Sequence, residues 1–252
     1  MCKMTAQNTT IFGLRAIIEA IQSGTIINKI YLQKGINSAL HIELEKLIAE
    51  HKLTTSIVPV EKLNRLSKNN NHQGAVALIS PVSFYDLEQL IEKTIEENKI
   101  PLFLILDQLS DVRNFGAIIR TAECTGVNGI IIQKNGSAPV NAETVKTSAG
   151  AAFKIPICKV DHIKDALFLL QASDIKTVAA TEKTEDLVYD INLNQPIAII
   201  MGSEDRGVNP SILKLVDFKA KLPLLGEIES LNVSVACGAI LYEAVRQRVI
   251  VG

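Results

Sequence analysis

Short apolar strands that alternate with helical segments dominate the chain beyond residue 100, and this pattern limits its fold most strongly. The strands are expected at 102–106, 129–132, 177–180 and 197–201, and the helices at 115–124, 163–171, 210–216 and 231–249. Strands that are apolar along their whole length are typical of a parallel sheet covered by helices on both faces. Ligands of such α/β sheets bind at the loops that follow the carboxyl ends of the strands. The pattern therefore predicts an α/β fold whose function lies in those loops.

The first 80 residues predict a smaller α/β unit of their own. Its helices are expected at 12–21, 39–51 and 60–66, and its strands at 29–33, 54–58 and 75–79. Pro81 interrupts the chain directly afterwards. We expect an auxiliary domain over 1–80, a linker and lead-in helix over 81–100, and a main domain over 101–252.

Charge is divided unevenly between these two parts, although the whole chain has a net charge of only −1. Residues 1–80 hold nine Lys/Arg against five Asp/Glu, a net +4, whereas residues 81–252 hold seventeen against twenty-two, a net −5. Such asymmetry is typical of a polyanion-binding module joined to a body with another task. Taken alone, a net +4 over 80 residues also fits a solvated surface.

The sparse cysteines and histidines predict no metal site. The four cysteines, Cys2, Cys124, Cys158 and Cys237, show no metal-ligand spacing. Cys124 and Cys237 lie in apolar stretches, where we expect buried, reduced thiols. The N-terminus lacks the apolar core of a signal peptide, and no run approaches the roughly 18 apolar residues of a membrane helix. A cytoplasmic location without membrane contact is the expectation.

The first loop of interest follows the strand at 102–106 and leads into a helix. Asn114 is placed to cap that helix, and Gly116 and Arg120 follow within it. In an otherwise apolar helix, Arg120 is either an arginine that extends to solvent or a functional cation.

The second loop follows the strand at 197–201 and carries Glu204 between Gly202 and Gly207. Glycines there allow positive φ angles and a close approach of a ligand to the backbone. The loop matches neither the Gly-x-Gly-x-x-Gly fingerprint nor a lysine-bearing P-loop, so a nucleotide bound by its phosphates is disfavoured. A plain strand-to-helix turn with exposed acids is the alternative.

The third loop runs from Leu222 and Pro223 to Ser230, Leu231 and Asn232, just before the last helix. Ser230 is placed to cap this helix, whose amides can bind a polar group. Small residues then follow, which permit close packing of the backbone. A well-packed C-terminal helix without a ligand is the alternative.

Together, in this order, the three loops resemble the motifs of the SpoU (TrmH-type) family of RNA 2′-O-ribose methyltransferases. The matching residues are Asn114, Gly116 and Arg120 in the first motif, Gly202, Glu204 and Gly207 in the second, and Pro223, Ser230, Leu231 and Asn232 in the third. The resemblance spans about 102–248. His72-Gln73-Gly74 and the segment at 147–151 extend it toward the bacterial large-subunit (23S) ribosomal RNA guanosine-2′-O-methyltransferases.

The resemblance implies a C-terminal domain with a trefoil knot and an N-terminal domain of ribosomal-protein type that binds RNA. It implies S-adenosylmethionine as cofactor, bound mainly through backbone groups at Gly202, Leu222 and Leu231, with Ser230 and Asn232 close by. Leu222 is a mild departure, since the family often has isoleucine there. A homodimer, whose two subunits both shape the active site, is also implied.

For catalysis, the resemblance points to Arg120, with Asn114, Glu204, Ser230 and Asn232 positioning the reactants. Removal of the ribose proton must be assisted, because a hydroxyl is a poor nucleophile. Arginine has a pKa above about 12 and is normally not deprotonated in proteins. Two roles therefore stay open for Arg120: a base in a cation-rich site, or a charged group that holds a phosphate and stabilises a developing alkoxide.

A guanosine of large-subunit ribosomal RNA is the expected substrate. The same chemistry on transfer RNA is one alternative, and a non-catalytic RNA-binding or ribosome-assembly protein is another. Intact motif residues argue against the second alternative, while the modified nucleotide cannot be read from the chain.

Overall fold

The computed structural model describes residues 10–22, 24–36, 38–97, 100–228 and 230–250, so Cys2 and residues 98–99 of the predicted linker and lead-in helix lie outside it. The chain forms two compact units. The first ends at Ser83 and also includes Pro139–Ala142, and the second comprises Phe84–Ala138 and the chain from Glu143 onward. None of the described helices is both long and apolar enough to cross a membrane.

The first unit is a four-stranded sheet with helices on both faces. Its elements are β1 (Thr10–Phe12), α1 (Leu14–Gln22), β2 (Ile27–Gln33), α2 (Ala39–Glu50), β3 (Thr55–Val58), α3 (Val60–Leu66) and β4 (Ala75–Ile79). The strand order is β1-β4-β2-β3, in which only β2 and β3 run parallel. Ile17 of α1, Leu44 of α2 and Ile30 of β2 form the core on one face. On the other face, Leu63 of α3 packs on Val58 and Val76.

The second unit is a six-stranded, fully parallel sheet, as the apolar strands predict. Its strands are β5 (Leu102–Leu106), β6 (Gly129–Gln133), β7 (Ile157–Val160), β8 (Lys176–Ala180), β9 (Ile197–Met201) and β10 (Phe218–Ala220). Its helices are α4 (Leu87–Glu96), α5 (Val112–Cys124), α6 (Ala142–Thr147), α7 (Ile163–Ala172), α8 (Pro210–Leu213) and α9 (Val233–Ile250), with 3-10 helices at Ala151–Phe153 and Val188–Asp190.

The strand order β10-β8-β9-β5-β6-β7 determines where a ligand can bind. From β5 the chain moves outward through β6 and β7, then crosses to β8 and returns to β9 beside β5. The order reverses between β5 and β9, and ligands of open α/β sheets bind in the crevice at such a point. The first and second loops of the sequence analysis follow these two strands.

Helices cover both faces of this sheet. Residues of α4, α7 and α8 form one core cluster with Phe103, Ile105 and Ile200. Helices α5 and α9 contact each other, and neither contributes to that cluster. Because side chains alternate along a strand, α5 and α9 cover the opposite face, where Leu104 points.

Several predicted elements need correction. Phe12 belongs to β1, not to the first helix, which begins at Leu14 after Gly13 turns the chain with φ +94°. Strands β7 and β10 and helix α6 were not predicted, because three to six residues are too few to show a period. The predicted helix at 210–216 ends at Leu213.

The buried-thiol prediction is confirmed for one cysteine and wrong for the other. Cys237 is buried, and burial raises the pKa of its thiol to about 12. Cys124 is exposed, because it falls outside the stripe of buried residues on α5 that includes Ile118, Ile119 and Ala122.

Candidate functional site

The first loop begins α5 differently from the prediction. Asp111, not Asn114, is the N-cap, and its Oδ1 accepts a hydrogen bond from the Asn114 backbone N–H at 2.7 Å. A carboxylate reaching the third helical amide is a strong cap, and it leaves the Asn114 side chain available for other contacts. The cap therefore fixes the backbone of Asn114, while its side-chain amide bonds to a residue of another loop.

The second loop closes on itself directly after β9. The Gly207 N–H donates to the Ser203 carbonyl at 2.9 Å, and Gly207 has φ +65°. A Cβ at Gly202 would lie 2.0 Å from the Gly207 carbonyl carbon, so only glycine fits there. The tight turn presents the exposed Glu204 at the carboxyl end of the sheet.

The third loop ends in a helix cap, and the prediction that Ser230 forms this cap is wrong. Asn232 caps α9: its Oδ1 accepts from the backbone N–H of Ser234 at 2.9 Å and of Val235 at 3.3 Å. Ser230 lies exposed two residues earlier and does not cap the helix. The asparagine is one residue before the helix, where a side-chain acceptor can reach the free amides.

The side chains of these three loops meet in one hydrogen-bonded cluster. Glu204 Oε1 accepts from Asn114 Nδ2 at 2.7 Å and from Asn232 Nδ2 at 2.9 Å. Asn232 Nδ2 also lies 3.1 Å from Asn114 Oδ1, as a shared donor. Residues 90 and 118 positions apart in the chain are thus brought together. We call Asn114, Glu204 and Asn232 the amide–carboxylate cluster.

Arg120 lies on α5, six residues beyond Asn114, and is exposed. Among the described residues it makes no hydrogen bond or ion pair. Of the five predicted catalytic residues, Asn114, Glu204 and Asn232 thus bond directly, whereas Arg120 and Ser230 make no side-chain hydrogen bond to another described residue. An arginine without a carboxylate partner is available to an anionic ligand, and its planar guanidinium suits phosphate oxygens.

The predicted cofactor positions have free backbone donors. Leu222 is half-buried just beyond β10, and Leu231 is 45% exposed. Within the described ranges, the backbone N–H of neither residue makes a hydrogen bond. Gly202 is buried at the end of β9. Small or apolar residues with free amides can hold a polar ligand through the backbone.

Sequence reasoning missed a contact that joins the first two loops. Asp107, directly after β5, is only 2% exposed, and its Oδ2 accepts from the Asn209 backbone N–H at 2.8 Å. Burial raises the pKa of the Asp107 carboxyl, while the Asn209 hydrogen bond acts in the opposite direction. The available signal was an acid immediately after a fully apolar strand.

Residues 101–242 match the model of the SpoU rRNA Methylase family, and residues 10–85 match the RNA 2′-O ribose methyltransferase substrate-binding family. The first match covers more than half of the chain. This chain belongs to the SpoU rRNA Methylase family.

Relatives of known sequence match along almost their whole length. A protein of Staphylococcus haemolyticus named a TrmH family tRNA/rRNA methyltransferase is 35% identical over 246 residues, covering 98% of both chains. YacO of Bacillus subtilis, named in the same way, is 31% identical over 249 residues, covering 99% of this chain and all of the relative.

Solved structures share the fold. The SpoU methyltransferase AviRb of Streptomyces viridochromogenes, crystallised with the cofactor AdoMet, aligns with a TM-score of 0.61 at 24% identity. It covers 96% of this chain and 91% of its own. The AdoMet-bound rRNA methyltransferase of Sinorhizobium meliloti also aligns with a TM-score of 0.61 at 24% identity, covering 96% and 87%.

Proposed function

We propose that this member of the SpoU family transfers a methyl group from S-adenosylmethionine to the ribose 2′-oxygen of a guanosine in large-subunit ribosomal RNA. The observation that carries the proposal is the amide–carboxylate cluster at the crevice between β5 and β9, with a free arginine on the same helix as Asn114. Methyl transfer follows from the family. The arginine supplies a positive charge and the carboxylate a hydrogen-bond acceptor for the RNA that carries the acceptor hydroxyl.

The residues present fit the cofactor. Free backbone amides at Leu222 and Leu231 suit a ligand that is held by main-chain groups, and Gly202, Ser230 and Asn232 lie on the loops beside them. S-adenosylmethionine supplies a methyl group already activated by a sulfonium. The protein's contribution is then to place the ribose hydroxyl close to that methyl and in line with it.

In this proposal Arg120 acts as a cation. Guanidinium groups stay charged in proteins, and no carboxylate of the described residues pairs with the exposed Arg120. It holds the phosphate beside the acceptor nucleotide and stabilises negative charge on the ribose oxygen as the proton leaves. The Asn114 and Asn232 amides fix the Glu204 carboxylate, which leaves Oε2 to accept a hydrogen bond from the RNA.

In this proposal the two parts of the chain have different functions, RNA binding and catalysis. We assign RNA binding to an auxiliary domain over 1–80, with its net +4, and catalysis to 101–252, joined through 81–100. The substrate-binding family match over 10–85 supports this assignment. Phosphate contacts in such a domain supply affinity, and shape and splayed bases supply selectivity.

The working form of the enzyme in this proposal is a homodimer formed through α9. Val235, Tyr242 and Val249 are 56%, 58% and 72% exposed and lie seven residues apart, along one side of that helix. Leu225 and Ile228 on the preceding loop are 99% and 79% exposed. An apolar surface of this kind on a helix marks an association site.

Transfer of tritium from labelled S-adenosylmethionine tests the proposal. Unmodified large-subunit ribosomal RNA and transfer RNA are incubated separately with the enzyme, and cofactor binding is measured by calorimetry. The proposal predicts label on ribosomal RNA only. Label on transfer RNA alone would overturn the proposed ribosomal RNA substrate. Transfer RNA is the alternative to test because the relatives are named tRNA/rRNA methyltransferases. Absence of cofactor binding would favour a non-catalytic RNA-binding protein.

A further inference from the structure

One side of α5 is lined by a segment that the catalytic proposal does not use, residues 147–154. Gly116, Arg120 and Glu123 lie on this side, at positions i, i+4 and i+7 of the helix. A Cβ on Gly116 would lie 1.8 Å from Thr147 Oγ1, so the segment touches the helix there. At the other end, Lys154 Nζ lies 3.5 Å from Glu123 Oε1. The segment therefore contacts α5 one turn before Arg120 and again one turn after it.

Hydrogen bonds hold the segment in one conformation. Thr147 Oγ1 donates to the Glu143 carbonyl at 2.8 Å, and the Ala152 N–H donates to Ser148 Oγ at 3.3 Å. Ala149 and Gly150 have φ angles of +50° and +85°, a tight turn that alanine adopts only at a cost. Because the turn is fixed by its contacts, the side chains beyond it have defined positions.

Phe153 on this segment is 46% exposed, and Phe168 on α7 is likewise exposed, at 55%. Phe103 and Phe115 in the same unit are both fully buried. The 3-10 helix that carries Phe153 contacts α5, and the Phe153 N–H donates to the Gly150 carbonyl at 3.0 Å. The result is an exposed aromatic side chain on a short helix that packs against α5, the helix that also carries Arg120.

Lys154 adds positive charge beside that ring. Its side chain is 71% exposed, and its partner Glu123 is 33% exposed. Exposed ion pairs of this kind contribute little to stability, so Lys154 can exchange the carboxylate for a phosphate at small cost. An exposed aromatic ring with an adjacent cation is how single-stranded RNA is held: bases stack on the ring and phosphates pair with the cation.

We propose that Phe153 stacks on an unpaired base of the RNA substrate next to the ribose presented to Arg120, while Lys154 contacts a neighbouring phosphate. The inference rests on the proposed RNA methyl transfer, and it adds a substrate-binding surface outside the three motif loops. Phe153 belongs to a different segment from the predicted cofactor positions, which lie on the loops after β9 and β10. Its loss therefore affects the RNA and leaves S-adenosylmethionine binding unchanged.

Steady-state kinetics with Phe153→Ala give the first test. Stacking of one base on an aromatic side chain predicts a fall in kcat/KM for RNA of about tenfold, mostly through KM. Phe153→Tyr restores the value to within about threefold, because the π face remains, whereas Phe153→Leu does not. The control is Phe168→Ala: Phe168 is 55% exposed but lies on α7, on the opposite face of the sheet.

A fluorescence experiment tests the stacking directly. The chain contains no tryptophan, so Phe153→Trp introduces a single reporter. The proposal predicts that saturating RNA quenches this emission, and that S-adenosylmethionine alone does not. In Phe168→Trp, the same RNA leaves the emission unchanged.

Three results would overturn the inference. The first is wild-type kcat/KM for Phe153→Ala in an enzyme that methylates RNA. The second is unquenched Phe153→Trp with RNA bound. The third is conversion of a dimer to a monomer by Phe153→Ala, which would assign the ring to a subunit interface. By contrast, a wild-type protein that binds S-adenosylmethionine but methylates no RNA would refute the proposed function itself.

Discussion

Arg120 and Asn114 lie on the same helix, but their hydrogen-bonding partners differ. We therefore expect substitutions at the two positions to affect the fold differently. Asn114 has two partners in the amide–carboxylate cluster, whereas Arg120 has none among the described residues. An exposed side chain with no hydrogen bond or ion pair to another described residue can be replaced with little effect on the fold. Loss of function at Arg120 therefore reports on chemistry.

We expect Arg120→Ala to lower kcat by about 100- to 10,000-fold, the range for loss of a catalytic proton-transfer or charge-stabilising group. The melting temperature and S-adenosylmethionine affinity should stay at wild-type values. Arg120→Lys should recover about tenfold of the loss, because it keeps the charge without the planar fork. Arg113→Ala, exposed on the same helix, is the matched control for kcat. Activity near wild type in Arg120→Ala would remove Arg120 from the mechanism.

The buried Asp107 predicts a specific pH dependence of stability. Burial raises its pKa above the value in the unfolded chain, so the native state binds the proton more tightly. The free energy of unfolding therefore falls as pH rises from about 4 through the raised pKa. Asp107→Asn keeps an oxygen for the Asn209 N–H and should flatten this slope. Chemical denaturation at several pH values measures it, and an unchanged slope in the variant would contradict the assignment.

At the scale of elements, Asn232 has two functions that one substitution can separate. Its Oδ1 caps α9, and its Nδ2 donates to Glu204. Asn232→Asp keeps the cap oxygen, which is also favourable at a helix N-terminus, but sets a second carboxylate against Glu204. We predict unchanged thermal stability with at least tenfold lower kcat. Asn232→Ala should in addition lose about 1 kcal/mol of stability. A destabilised but fully active Asn232→Asp would exclude the separation.

The turn after β9 depends on the absence of a side chain at Gly202. A Cβ there would meet backbone atoms of Gly207 and Val208 at 2.0 to 2.3 Å. Gly202→Ala must displace the loop that holds Glu204, and we expect loss of both stability and methyl transfer. Gly226→Ala is the control, since a Cβ at that position meets nothing within 4 Å. Equal melting temperatures for the two variants would show that the turn tolerates the change.

For the whole molecule, the exposed apolar residues of α9 predict association. Tyr242→Glu should convert the dimer to a monomer, because a charge buried in an apolar interface without a partner is costly. Ile95→Glu, at 47% exposed on α4, should leave the dimer intact. Sedimentation velocity distinguishes the two. A wild-type monomer at micromolar concentration, or a dimeric Tyr242→Glu variant, would contradict the proposed interface.

Most of the sheet could be predicted from the sequence, because β5 and β9 are apolar along their length and bounded by polar loops. The cap residues could not: Asp111 and Asn114 are both good cap types, and only the backbone shows which one reaches a free amide. Nor could the bond between Asn114 and Glu204, since periodicity carries no information on contacts 90 residues apart. The trefoil knot stays an expectation from the family resemblance, because threading leaves no mark on local pattern.

The position of the transferred methyl group tests the central claim most directly. RNA labelled from tritiated S-adenosylmethionine is hydrolysed in alkali, which cleaves beside every free 2′-hydroxyl. The account predicts label in alkali-resistant dinucleotides that carry a 2′-O-methylguanosine, and labelling at least about 100-fold slower with Arg120→Ala. Label released in mononucleotides would place the methyl group on a base and contradict the account.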